Sequence, residues 1–145
     1  MSPFRSLADY ERFVYALSQD YPSIHRSTLT VIRRGRTVAR LSGELEIGDC
    51  RIVVREVPHF SGDAGRISSY GDEIWCGGET LYWYDSQAHP GDPTLAATHP
   101  HHKHIPPDAK HHRVAAPELS FTRPNLPVLI GEVERRLNEE HAAGP

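Results

Sequence analysis

The sequence has few of the features that mark secreted, membrane-bound or nucleic-acid-coating proteins. Its only two cysteines, Cys50 and Cys76, lack the CxxC spacing, so the sequence predicts neither a disulfide framework nor a cysteine zinc site. No apolar run approaches membrane-spanning length, and the N-terminus lacks the apolar core of a signal peptide. The net charge of −3 argues against binding nucleic acid through bulk positive charge, but it permits a local basic patch. We therefore expect a soluble, cytoplasmic protein.

The composition that remains is that of one globular domain. The chain has 145 residues, of which 38% are apolar and 24% are charged. This length is enough to bury a core but too short for two ordinary domains, so we expect a single domain over residues 1–145.

Hydrophobic periodicity predicts a helix near each end of the chain. Ser6 can cap the first helix, and Pro22 ends it. The second helix is expected from about Pro127, because proline suits a first helical position. The residues that recur at helical spacing are Leu7, Tyr10, Val14, Leu17 and Tyr21 in the first helix, and Leu129, Ile130, Val133 and Leu137 in the second.

Alternating and β-branched residues between these helices predict about five antiparallel strands. They cover residues 28–32, 39–47, 50–57, 67–75 and 80–85, with turns near Gly35, Gly48 and Gly77. We therefore expect an α+β domain in which both helices pack on one face of the sheet.

A segment rich in histidine and proline, residues 86–126, fits neither pattern. Eight prolines occur within residues 89–127, and they disfavour both helix and strand. So long a loop in a compact domain is usually functional or disordered. Its centre, residues 98–112, reads THPHHKHIPPDAKHH and holds six histidines.

Three interpretations of these histidines are open. As a metal site, they could bind an ion together with Asp85 and Asp108, although no HExxH spacing is present. As an acid–base site, two histidines could cleave a phosphodiester without a metal, while Lys103 stabilises charge on the phosphate. As a structural feature, they could simply hydrogen-bond the loop. The candidate histidines are His99, His101, His102 and His104.

A second candidate feature is a run of arginines without an acid, residues 26–40. Arginine binds phosphate through a planar fork, so this run would suit RNA or an acidic partner protein, with a solvated hairpin tip as the alternative. Alternate members of the aromatic run at 82–84 could likewise stack on bases or pack in the core. The predicted substrate-binding residues are Arg33, Arg34, Arg36 and Tyr84.

Two motifs occur in fixed order in the second half of the chain. The first is TLYWYDSQAHP, an aromatic strand that ends in Asp85 and is followed by His89, and the second is PHHKH at residues 100–104. With these motifs the sequence resembles the TumE family of prokaryotic toxin–antitoxin modules. The resemblance implies a toxin that inhibits growth and that a cognate antitoxin neutralises.

These observations together predict a toxin that inhibits growth by RNA cleavage, with loop histidines as general acid and base. We expect no cofactor for this endoribonuclease reaction, no membrane association, and RNA, an antitoxin and a second copy of the chain as partners. Two alternatives stay open: a non-catalytic module that blocks a macromolecular target, and a metal-dependent nuclease that uses a divalent metal. The predicted catalytic residues are His99, His101, His102, Lys103, His104, Asp85 and His89.

Overall fold

The first predicted helix is present in the computed structural model, which describes residues 2–62, 64–86, 101–105, 113–116 and 118–142. A short 3₁₀ turn, Pro3–Arg5, precedes helix α1, Leu7–Asp20. The Ser6 hydroxyl accepts a hydrogen bond from the backbone N–H of Asp9 at 3.1 Å, which caps the helix as predicted. Four of the five predicted apolar residues are buried, and Tyr21 follows the helix as its C-cap and is partly buried. Helix α1 therefore packs through the face that the sequence predicts.

The sheet has eight strands among the described residues, more than the five expected. They are β1 Ile24–Ser27, β2 Thr30–Arg33, β3 Ala39–Ile47, β4 Cys50–His59, β5 Arg66–Cys76, β6 Glu79–Asp85, β7 His102–His104 and β8 Arg113–Ala115. All neighbouring strands are antiparallel, in the order β1-β3-β4-β5-β6-β7-β8, and β2 also pairs with β3.

The extra strands have two sources. The first predicted strand, residues 28–32, corresponds to β2, while β1 precedes that range and was not predicted. A glycine at the middle of β3 explains the break between β1 and β2. Gly43 has a φ of +134°, and a Cβ there would lie 2.5 Å from the carbonyl oxygen of Thr28. Strands β7 and β8 form inside the segment that the sequence predicts to be a loop. Strand β7 pairs with β6, and β8 pairs with β7, so backbone hydrogen bonds to a neighbouring strand stabilise both despite the nearby prolines.

Helix α2, Leu126–Ala142, follows Asn125, whose side chain is buried. The Asn125 side chain accepts a hydrogen bond from the backbone N–H of Ser120 and donates one to the carbonyl oxygen of Ser120. Both helices pack on the same face of the sheet. The hydroxyl of Tyr10 on α1 donates to Glu56 of β4 at 3.2 Å, and the hydroxyl of Tyr84 on β6 donates to Glu132 of α2 at 2.7 Å. We call this side the covered face, and the opposite side, which carries no helix among the described residues, the open face. The predicted α+β class is confirmed.

A disulfide corrects the expectation drawn from cysteine spacing. Cys50 and Cys76 are bonded to each other and lie directly opposite in the β4–β5 ladder. Their separation of 26 residues does not show this proximity, because the hairpin register decides which residues face each other. As to membranes, no helix in the described parts of the chain has the length and apolar character of a membrane span.

Candidate functional site

Strand β7 divides the PHHKH motif between the two faces of the sheet. In the β6–β7 ladder Trp83 faces His104 and Tyr84 faces Lys103. Successive side chains of a strand point to opposite faces, so His104 lies on the open face and Lys103 on the covered face. The motif therefore does not place Lys103 beside His104, as the predicted acid–base site would require.

On the open face the structure brings Asp85 and His104 together. The Nε2 atom of His104 lies 2.9 Å from Oδ2 of Asp85, and the imidazole stacks on Trp83 with ring centroids 4.7 Å apart. His104 is only 3% exposed, so contacts on several sides hold the ring in place. A carboxylate bonded to one ring nitrogen fixes the tautomer and the orientation of the ring, which is the arrangement that proton transfer needs.

On the covered face Lys103 takes part in an aromatic cluster. Its Nζ atom lies 4.2 Å from the ring centroid of Tyr82 and 5.2 Å from that of Tyr84, and both hydroxyls donate to Glu132. Burial, together with Glu132, raises the pKa of both tyrosines, so they remain neutral donors. Tyr84 is 3% exposed, and its ring is therefore not available to stack on a base, contrary to its predicted role.

The remaining predicted histidines do not all meet at this pair. His101 contacts Tyr70 of β5, whose hydroxyl oxygen lies 2.6 Å from Nδ1, and its ring stacks on that tyrosine. The backbone of His102 is opposite Asp85 in the ladder. The predictions for His89, His99 and Asp108 concern positions outside the described residues.

The arginine run is partly neutralised by acids from other elements. Arg33 pairs with Glu11 of α1, and Arg26 pairs with Glu46 of β3 at 3.7 Å. Arg34 and Arg36 are exposed near the turn after β2, without an ion pair to any residue that the structure describes. The absence of acids within residues 26–40 therefore does not make the whole run an uncompensated charge.

The open face also has a groove of about 380 Å³ that the sequence did not predict. It crosses β3, β4 and β5 and is lined by the side chains of Arg40, Ser42, Arg55, Val57 and Ser69 and by Gly71. These residues come from three strands, so no local motif unites them. The alternation of buried and exposed residues in each strand was the available signal, since it assigns all of them to one face.

Two further acids are close together, but on the covered face. Glu56 and Asp72 are buried, and burial raises the pKa of Glu56 to about 7 and that of Asp72 well above its ordinary value. The negative charge of Glu56 and a hydrogen bond to it raise the pKa of Asp72 further, so Asp72 stays protonated to a higher pH than Glu56 does. The hydroxyl of Tyr10 on α1 donates a hydrogen bond to Glu56 and covers the two acids. The acid pair is therefore part of the core and not an accessible site.

No group of three or more histidine, cysteine or carboxylate side chains suited to a metal ion occurs in the described ranges.

Comparison with known proteins gives one match. The family model described as Toxin TumE matches residues 14–137, which include β6 and β7, and it confirms the resemblance seen in the two motifs. No curated protein and no solved structure is significantly similar to the chain.

Proposed function

The chain belongs to the TumE family of toxins, and from that premise we propose that it inhibits growth by cleaving RNA at the Asp85–His104 pair. As a toxin of a toxin–antitoxin system, it has an antitoxin as its partner. RNA as the substrate would place its action in the cytoplasm.

The observation that carries the proposal is the short contact between Asp85 and His104 on the open face. The His104 ring is held between the Asp85 carboxylate and Trp83. The open face carries no helix among the described residues, so a long substrate can approach it. An oriented histidine bonded to a carboxylate is a common general base.

The proposed reaction needs one base and one acid. His104 takes the proton of a ribose 2′-hydroxyl, and the 2′-oxygen attacks the adjacent phosphorus. The bond to the 5′-oxygen of the next nucleotide breaks, and an acid protonates that leaving oxygen. The products are a 2′,3′-cyclic phosphate and a 5′-hydroxyl. We propose His102, whose backbone is opposite Asp85 in the ladder, as the acid.

This mechanism is tested by incubating the purified protein with a single-stranded RNA, with and without a chelator. We expect cleavage that survives chelation and leaves 2′,3′-cyclic phosphate ends. A matched strand with one 2′-deoxynucleotide should resist cleavage at that position, because it has no attacking hydroxyl.

Two other results of this experiment would support the two alternative functions. Loss of cleavage on chelation supports a metal-dependent nuclease, which would remove the metal-free mechanism. A toxic protein that leaves RNA intact would contradict the proposal and support a non-catalytic module that blocks its target.

A further inference from the structure

We propose that the open-face groove binds one nucleotide of single-stranded RNA beside the Asp85–His104 pair, with Arg40 and Arg55 contacting its phosphate. The choice of RNA as ligand depends on the proposed function. The existence of the binding site does not, because it follows from the shape and charge of the groove.

The floor of the groove is a row of cross-strand neighbours, Leu41, Glu56 and Tyr70. All three side chains are buried toward the covered face, so their backbones form the floor and the residues on either side form the walls. A volume of about 380 Å³ lies in the lower part of the range for small-ligand sites, roughly 300–1,000 Å³, and suits a ligand the size of a nucleotide.

Gly71 is the strongest sign that the groove holds a ligand. It lies inside β5 between buried Tyr70 and buried Asp72, so a Cβ at this position would point into the groove. That Cβ would have no neighbour within 4 Å, and the backbone there does not need glycine. By contrast, the fold itself requires Gly43, because of its positive φ and its close approach to Thr28.

Glycine in a strand weakens the strand and often marks a place where a ligand approaches the backbone. Since neither conformation nor packing requires Gly71, the space that it leaves is its only evident contribution.

The charges on the groove favour an anion. Within the described part of the chain Arg40 forms no ion pair, and the Arg55 side chain forms one, with Glu73 at 3.8 Å. The Arg55 side chain is 69% exposed, so this ion pair is weak and can exchange for a phosphate. Ser42 and Ser69 add hydroxyl groups that can bond a sugar or phosphate.

The groove ends at Gly71, beside the Asp85–His104 pair. Gly71 is directly opposite Asp85 in the β5–β6 ladder, and opposite residues in antiparallel strands have Cβ atoms about 5 Å apart. A nucleotide held over Gly71 would therefore present its neighbouring phosphodiester to Asp85 and His104.

The test uses Gly71→Val, which fills the groove without disturbing the packing. Because a Cβ there meets nothing and valine favours strands, the melting temperature should stay equal or rise. Binding of a labelled single-stranded RNA pentamer, measured by fluorescence anisotropy in an Asp85→Asn background that strongly slows cleavage, should weaken by about tenfold or more. Gly71→Ala is the second variant, for the case that valine prevents folding, and it should give a smaller loss of affinity.

The charge contribution is tested with Arg40→Gln and Arg55→Gln together. Affinity should fall, and the dependence of log Kd on log salt should decrease by roughly 0.7 for each lost phosphate contact. Arg12→Gln is the matched control, because Arg12 is an exposed arginine on α1 whose one ion pair among the described residues is with Asp9. It should change neither quantity.

The outcomes separate this proposal from the proposed function. If the wild-type protein does not cleave RNA, yet Gly71→Val weakens RNA binding, the cleavage proposal fails and the groove stands. If the wild type cleaves and Gly71→Val, or Gly71→Ala where valine prevents folding, binds and cleaves equally well, the groove proposal fails alone. No RNA binding by any folded variant would also overturn the groove proposal.

Discussion

The two faces of the sheet both carry ionisable side chains, but they hold them in opposite ways. On the covered face Glu56 and Asp72 lie in the core, where burial raises the pKa of each. On the open face Asp85 contacts His104 at the edge of a groove that contains two arginines.

The difference shows that a shifted pKa alone does not locate a functional site. The covered pair has the larger perturbation, yet Glu56 is 2% exposed and Asp72 is 0% exposed beneath α1. In the open pair His104 is buried as well, but the Asp85 side chain is 18% exposed, on a face that carries no helix among the described residues. We therefore assign stability to the covered face and propose chemistry for the open face.

The largest expected effect concerns the open-face pair. Asp85→Ala and His104→Ala should each lower the rate of RNA cleavage by about 100- to 10,000-fold, because each removes part of one proton-transfer unit. The double variant should be little slower than the slower single variant, since the two residues act together. Circular dichroism should first establish that the variants fold. If the rate losses of the two single variants multiply in the double variant, the two residues act independently. That result would contradict the assignment of a joint catalytic role to the open-face pair.

The disulfide should affect stability without affecting catalysis. Replacing both Cys50 and Cys76 by serine should lower the free energy of unfolding by roughly 3 to 4 kcal/mol, because the bond closes a loop of 26 residues. Urea unfolding measures this loss, and wild-type protein unfolded with a reducing agent is the matched control. Below the melting temperature the cleavage rate should be unchanged, so a large loss of rate in the folded variant would connect the covered face to the chemistry.

The buried acid pair should make stability fall as the pH rises. Because burial raises the pKa of Glu56 from 4.5 to about 7, the folded state holds a proton that the unfolded state has released between these values. The loss of stability that Glu56 contributes is on the order of 3 kcal/mol between about pH 5 and about pH 8, at roughly 1.4 kcal/mol for each pH unit. The raised pKa of Asp72 adds a loss in the same direction.

Glu56→Gln tests this linkage, because glutamine keeps the shape but cannot lose a proton. Urea unfolding of this variant at both pH values should show a smaller decrease in stability than that of the wild type. Equal decreases in the two proteins would show that Glu56 is ionised in the core.

The smallest expected effect belongs to Lys103. We propose that it stabilises the Tyr82–Tyr84 cluster, so Lys103→Met should cost about 1 kcal/mol of stability through loss of its cation–π contacts. The cleavage rate should stay within about threefold of the wild type, since its Nζ atom lies on the face opposite His104. A large loss of cleavage rate in Lys103→Met without a change in melting temperature would instead support the predicted role of Lys103 in binding phosphate.

Much of the fold follows from local patterns in the sequence. Period and capping predicted α1 and α2, and alternation predicted β3 to β6, because these elements have clear apolar faces. Strand β1 lies outside the predicted range 28–32 and was missed. Strands β7 and β8 were missed because they depend on pairing and not on propensity. The disulfide was missed for the same reason, since the β4–β5 register brings its cysteines together.

The site was only partly predictable. Asp85 and His104 were both among the predicted catalytic residues, but their contact depends on the β6–β7 ladder. Once β7 is known to be a strand, alternation separates Lys103 from His104 without further information. The groove needs three paired strands, and Gly71 acquires meaning only when the empty space around it is known.

The most direct test of the contrast between faces compares two matched carboxylates. Asp85 and Glu132 each bind a neighbouring side chain, the first on the open face and the second on the covered face. Initial rates of RNA cleavage should be measured for Asp85→Asn and Glu132→Gln under the same conditions, with both proteins folded. We expect Asp85→Asn to lose about 100-fold or more and Glu132→Gln to remain close to the wild type. Equal losses, or a larger loss in Glu132→Gln, would contradict the assignment of chemistry to the open face.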